Sequence, residues 1–193
     1  MKFRIQALSS ACVCALVLLA SGCQSGAKPP RGYDNTGLKT GRLMEVNPTD
    51  IVVLPISNMT GKELPLGEMR EQFQAGLVRL RYSPLSLDYV DQNRPVDASY
   101  IPGQLAEEAA FKVTITSWDD SRWETHSRLI IDAEVHILDA AVGESLWGGQ
   151  VSRRVDVPMD IPGSALNRTL MARAVETFVG DVLASVPPRD PRR

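Results

Sequence analysis

Cysteine is almost missing from the body of this chain. Of 193 residues only Cys12, Cys14 and Cys23 are cysteine, all near the amino end. A disulfide framework, thiol catalysis and a cysteine-held metal are thereby excluded from everything that follows. Histidine is nearly as scarce, with His126 and His136 alone, and metal or acid/base chemistry would have to rest on these two or on carboxylates. A glycine-rich phosphate loop, a nucleophile elbow and zinc-spaced histidines are all lacking, and no cofactor is expected. Charge of one sign is not concentrated anywhere: 21 basic and 23 acidic residues give a formal charge of −2. That leaves no electrostatic footprint for nucleic acid. What remains, 44% hydrophobic and 23% charged residues, is ordinary globular composition with length for one well-buried domain.

The amino end reads as an address. Lys2 and Arg4 precede the apolar run Ala11–Ala20, whose ten residues are too few for an ordinary transmembrane helix. Leu19-Ala-Ser-Gly-Cys23 follows and resembles a bacterial lipobox, with alanine where leucine is commoner three residues before the cysteine. The resemblance implies a signal peptide over residues 1–22, diacylglyceryl transfer to the Cys23 thiol, and acylation of the amino group freed by cleavage. Anchorage by several chains is stable because each buried methylene contributes ~0.8 kcal/mol. An uncleaved anchor or a plain secretory peptide is the alternative. Gln24, not aspartate, follows the cysteine, which by resemblance to enterobacterial sorting favours the outer membrane, with the protein facing the periplasm. Cleavage removes Lys2 and Arg4 and leaves 19 basic against 23 acidic residues, a formal −4. A mildly acidic body has no electrostatic pull toward anionic lipid, so the lipid and not a basic patch would hold it at the membrane.

Residues 23–48 read as the lipidated cysteine and a flexible tether, with Pro29-Pro30 near its start and no sustained period. The folded domain is expected over 49–186, and a short disordered tail over 187–193. Ile51–Ile56 is an apolar run closed by Asn58 and Gly61, the pattern of a central strand buried on both faces. Met69, Phe73, Leu77 and Leu80 predict a helix over 67–81. Leu85, Leu87 and Tyr89 alternate as a second strand, and Ile101, Leu105 and Ala109 predict a short helix. Val113, Ile115 and Ser117 predict a third strand ending at Trp118. Leu129–Ile137 and Trp147–Val157, joined by a turn over 139–143, predict an antiparallel hairpin. Ser164 caps a long closing helix that steps through Leu166, Leu170, Ala174, Phe178 and Val182. The fold class is α/β, a single two-layer or three-layer mixed sheet with parallel central strands, a C-terminal antiparallel hairpin and a long closing helix.

Ile51-Val-Val-Leu-Pro-Ile-Ser-Asn-Met-Thr-Gly61 followed by an amphipathic helix resembles the opening of TolB amino-terminal-like domains. That group includes the curli-secretion lipoprotein CsgG and the peptidoglycan-synthase activator LpoB. Lys112-Val-Thr-Ile-Thr-Ser-Trp118, Ile131–Ala140 and Gly143-Glu-Ser-Leu-Trp147 are similar to these families' closing strands. They are especially like bacterial lipoproteins typified by a neisserial vaccine-candidate antigen. The resemblance covers about 50–186 and carries structural motifs, not catalytic ones. It implies a non-catalytic adaptor or accessory subunit of an envelope assembly, secretion or cell-wall complex. Partners would be the membrane, through the lipid, and an envelope protein complex such as a peptidoglycan synthase or export machinery, with self-association a further expectation. A subunit of a CsgG-like export channel is the alternative, and a hydrolase the third reading.

Candidate residues follow from these readings. Asn58 and Thr60 sit in a loop after a central strand, where α/β proteins bind ligands; the plainer reading is turn chemistry. Trp118, Trp123 and Trp147 are candidates for an aromatic interaction surface or for the edge of a core. Asp132, Glu134 and His136 share one face of a strand, ~7 Å apart, as a proton-handling row or simply a solvated face. Arg153 and Arg154 are placed to pair with Glu134 or Asp132 across the hairpin.

Overall fold

Along the chain the elements are β1 (Tyr33–Asp34), α1 (Leu43–Val46), β2 (Asp50–Val53), β3 (Ser57–Asn58), α2 (Leu66–Arg79), β4 (Ser83–Pro84), α3 (Leu87–Asn93), β5 (Ala109–Asp119), α4 (Trp123–His126), β6 (Arg128–Asp139), β7 (Ser145–Asp156) and α5 (Ala165–Ala184). They come from a computed structural model that describes residues 33–34, 38, 41–93, 100–157 and 165–192. Cys23, the signal segment, Pro158, Pro162 and Ser164 lie outside the described residues.

The strands form one mixed sheet in the order β1-β7-β6-β5-β2-β4, with β3 pairing β5. β2 is parallel to both β4 and β5, while β5, β6 and β7 form an antiparallel meander. This is the expected α/β class with parallel central strands and an antiparallel hairpin. Both layer counts occur in it. Ile51 and Val53 point into the main core beneath α2 and α5, and Val52 and Leu54 into a second cluster with Val90 of α3, Leu105 and Ala110. Around β2 the domain is therefore three layers deep, and β2 is buried on both faces. Over β6 and β7 the outward face has no helix among the described residues.

Aromatic packing fixes the helical layer. The Phe73 ring of α2 lies 5.1 Å from that of Phe111 on β5 and 6.5 Å, edge-on, from that of Phe178 on α5. Gly76 lets the two helices meet, since a Cβ there would stand 2.0 Å from Leu183 Cδ1.

Two expected elements are different. The alternation at Leu85, Leu87 and Tyr89 is not a strand: β4 is only Ser83–Pro84, and α3 begins at Leu87. Ser86 caps it, its Oγ accepting the Tyr89 N–H at 3.2 Å in the manner of an N-cap. The helix expected from Ile101 to Ala110 is also not formed. Gly103 and Ala106 take φ of 81° and 58°, and Ala109 already belongs to β5. The Glu107 carboxylate accepts the Gly103 and Leu105 N–H groups at 2.9 and 2.7 Å, and the Tyr100 hydroxyl donates to it as well. A carboxylate that gathers neighbouring backbone donors closes a loop and deprives a helix of them.

The ends of the domain also differ from expectation. Leu43, in the stretch read as tether, is 2% exposed in the main core, and β1 pairs with β7. The expected tail folds back: the Tyr82 hydroxyl donates to Pro187 O at 2.7 Å, and Arg189 N–H to Leu80 O at 2.9 Å. Asn47 clasps Asp190 from both sides, donating from Nδ2 to its O at 2.8 Å and accepting its N–H at 3.0 Å.

Candidate interaction surface

The loop after β3 is built by one side chain. Asn58 Oδ1 accepts the Thr60 N–H at 2.9 Å and the Thr60 hydroxyl at 2.7 Å, while its Nδ2 donates to Lys62 O at 2.7 Å. Gly61 supplies the left-handed residue, φ 71°. Lys62 then fastens the loop to the end of β5, donating to Trp118 O at 2.9 Å and to Asp120 at 2.7 Å. Asn58 and Thr60 thus make the turn, and Met59 stands out from it, 72% exposed.

The tryptophans offered as a surface are core residues instead: Trp118, Trp123 and Trp147 are 5%, 7% and 1% exposed. Trp123 is carried inward by α4, and two β-bulges account for Trp118 and Trp147. On β5 the register slips between Ile115 and Ser117, so that Ile115 faces Ala133 but Trp118 faces Ile131. The slip reverses the alternation and turns Trp118 inward with Val113 and Ile115. On β7 it slips again, Ile137 facing Trp147 and Leu138 facing Ser145, so Leu146 and Trp147 are both buried. Gly148 is obligatory there. Its φ is 130°, and a Cβ would lie 2.0 Å from Val135 O.

Asp132, Glu134 and His136 share the outward face of β6, half-exposed, as the alternation predicts. Their partners are structural. Ser152 Oγ donates to Asp132 at 2.6 Å. His136 Nδ1 lies 3.0 Å from Ser145 Oγ, which donates to Trp147 O at 3.2 Å. Burial pushes the His136 pKa below its ordinary value, with Glu134 opposing and Lys112 reinforcing. Glu134, His136 and Ser145 border an open hollow of about 540 Å³ floored by Gly148 and Gly149. No group of three His, Cys, Asp or Glu that could hold a metal ion occurs among the described residues.

The expected pairing of Arg153 and Arg154 with Glu134 or Asp132 is not made. Arg153 lies on the core face, 1% exposed, with its Nε 4.0 Å from Asp181 of α5. Arg154 bonds Asp156 at 2.8 Å, and Arg128 bonds the same carboxylate at 2.7 Å.

A buried arginine went unnoticed in the sequence. Ser83 of β4 donates to Thr49 O just before β2, and Leu85, just past the end of β4, donates to Ile51 O of β2; no further N–H of that segment follows. Val53 O is next on that side, and Arg70 of α2 supplies the missing donors, Nε at 3.1 Å and Nη2 at 2.9 Å. Its Nη1 grips both oxygens of Asp91 on α3 at 2.8 Å. The only signal was position, one residue past Met69 on the stripe of α2.

No protein-family description and no curated protein matches this chain. Solved structures do. Lipoprotein GNA1162 from Neisseria meningitidis is 20% identical, covering 69% of this chain and 99% of its own, with a TM-score of 0.47. The PelC dodecamer from Paraburkholderia phytofirmans is 10% identical over 79% of this chain and 96% of its own, TM-score 0.49. The LpoB C-terminal domain from Salmonella enterica is 12% identical over 56% and 83%, TM-score 0.41.

Proposed function

We propose that this is a lipid-anchored outer-membrane lipoprotein whose α/β domain faces the periplasm. There it serves as a non-catalytic adaptor or accessory subunit of an envelope assembly, secretion or cell-wall complex. The observation that carries the reading is Leu19-Ala-Ser-Gly-Cys23 placed directly after a ten-residue apolar run. The internal chemistry supports it. Arg70, Glu107 and Asn58, the groups richest in hydrogen bonds, each close a loop or finish a strand. The outward face of β6 and β7 carries Asp132, Glu134 and Arg154, charges that a lipid-facing channel hairpin would exclude.

Two measurements test this. Fatty-acid label is expected on the wild type and absent from Cys23→Ser; label that persists in the variant ends the lipoprotein reading. Photo-crosslinkers at the exposed positions Met59 and Val142 are expected to capture a discrete envelope protein. Recovery of monomer alone at both positions would end the adaptor reading.

A further inference from the structure

The outward face of β6 and β7 pairs its own polar groups except at one place. Ser152 Oγ donates to Asp132, and Asp156 accepts from Arg128 and Arg154. Two residues farther along β6 the matching stops. Glu134 and Gln150 stand opposite one another on β6 and β7, and neither makes a hydrogen bond or ion pair among the described residues. His136 uses Nδ1 on Ser145 Oγ at 3.0 Å and leaves Nε2 without a partner among them. Gly148 is the cross-strand neighbour of His136, so no side chain from β7 fills the space beside the imidazole.

These unpaired groups meet in the hollow of about 540 Å³, where Glu134, His136, Ser145 and Gln150 stand around Gly148 and Gly149. Small-molecule sites run from about 300 to 1,000 Å³. The Glu134 and His136 Cβ atoms are ~7 Å apart along the strand, and that of Gln150 lies ~5 Å across from Glu134. The lining selects among ligands. An apolar guest has nothing to lie on, because Trp147, the one large apolar side chain there, is 1% exposed. A polyanion meets Glu134 and no lining arginine or lysine. A cation gains little, since Lys112 stands opposite His136 on β5, and a metal ion finds no third ligand among the described residues. What fits is a neutral molecule with donors and acceptors at close intervals. A carboxylate accepts from two neighbouring hydroxyls, an amide both donates and accepts, and an imidazole nitrogen does one or the other by tautomer. Glycine lets the face of a ring approach the backbone closely.

We propose that this hollow binds a neutral saccharide, with adjacent hydroxyls of a pyranose ring on Glu134, Gln150 and His136 Nε2 and the ring resting on Gly148 and Gly149. The site belongs to the folded domain alone. It goes beyond the adaptor reading and does not depend on Cys23 being the anchor. It gives the domain a hold on glycan in addition to any protein partner.

The experiment titrates the full chain carrying Cys23→Ser, labelled with nitrogen-15, with four probes: cellotriose, chitotriose, the anionic trigalacturonate and the peptide tetraglycine. At least one of the two neutral sugars is expected to move the amide resonances of Gly148, Gly149 and Gln150. Trigalacturonate and tetraglycine are expected to leave them in place. Glu134→Gln and Gln150→Ala remove hydrogen-bonding groups from half-exposed and exposed positions, and an otherwise unchanged amide spectrum shows that each variant is folded. Each should weaken the neutral sugar about tenfold, while Arg154→Gln, outside the hollow, should leave its affinity unchanged. No movement with either neutral sugar overturns the proposal. So does movement confined to amides outside the hollow, tighter binding of trigalacturonate or tetraglycine, or sugar affinity that both Glu134→Gln and Gln150→Ala leave intact.

Discussion

Replacing Arg70 by methionine isolates a single polar joint at the centre of the domain. Methionine keeps most of the buried length and removes the guanidinium. Val53 O then loses both donors, at 3.1 and 2.9 Å, on the side where β4 has ended. A buried acceptor left without a partner costs about 1–3 kcal/mol, and hydrogen bonds from a charged group contribute about 1.5–3 kcal/mol. Asp91 is half-exposed, its side chain 51% accessible, so it rehydrates when its partner is gone and adds little. The expected loss is about 3 kcal/mol, and Asp91→Asn should cost no more than about 1 kcal/mol. The assay is urea unfolding of the unlipidated Cys23→Ser protein, followed by fluorescence of Trp118, Trp123 and Trp147, all buried. With a urea slope of about 2 kcal/mol/M, Arg70→Met should lower the midpoint by about 1.5 M. A shift below about 0.3 M, or an equal loss in Asp91→Asn, would refute the claim that the carbonyl and not the ion pair is what Arg70 serves.

Gly148→Ala forces a Cβ against Val135 O at a φ of 130°; a loss of about 2–4 kcal/mol is expected in the same unfolding assay. Asn58→Ala removes three hydrogen bonds from an exposed loop and should cost about 1 kcal/mol. A larger effect on crosslinking at Met59 than on stability would make that loop a contact as well as a turn. Burial pushes the Tyr82 hydroxyl up to about 12 from 10.0, with Arg189 opposing. The folded state thus favours the neutral phenol, and its contribution, full below pH 10, is lost as pH rises toward 12. Thermal melts across that range should fall for the wild type and fall less steeply in Tyr82→Phe, the remaining slope coming from Tyr100, which burial and Glu107 also raise. His136 is shifted the other way, so its contribution is present above pH 6.5 and declines as pH falls below it; His136→Gln should remove that slope.

Periodicity carried most of the architecture. β2, α2, the β5–β7 meander and α5 are long or wholly apolar elements whose burial is written in their spacing, and they stand where the pattern predicts. The misreadings are local competitions that spacing does not register. At Ser86 a capping hydroxyl outweighed three alternating apolar residues. At Glu107 a carboxylate drew two N–H groups out of a helix. Of the two readings of the tryptophans the core one holds; for Trp118 strict alternation could not choose, because one inserted residue near Thr116 reverses which side of β5 faces inward. Arg70 was invisible for a different reason. The need it answers, the open side of Val53, arises from β4 stopping at Pro84, which is a fact of sheet topology and not of α2.

The clasp between Asn47 and Asp190 joins residues 143 positions apart, and it sits where the first core residue, Leu43, meets the last folded turn. Closing a loop of that length carries an entropic cost of about 4 kcal/mol before any contact repays it. A chain that crosses a membrane amino end first cannot make this closure until its final residues have arrived. On the proposed anchoring at Cys23, maturation is then ordered by topology: the cysteine would emerge for acylation while α1 is still waiting for the tail. A truncation before Asp190 would leave the chain permanently in that waiting state, with Leu43 uncovered and open to proteases.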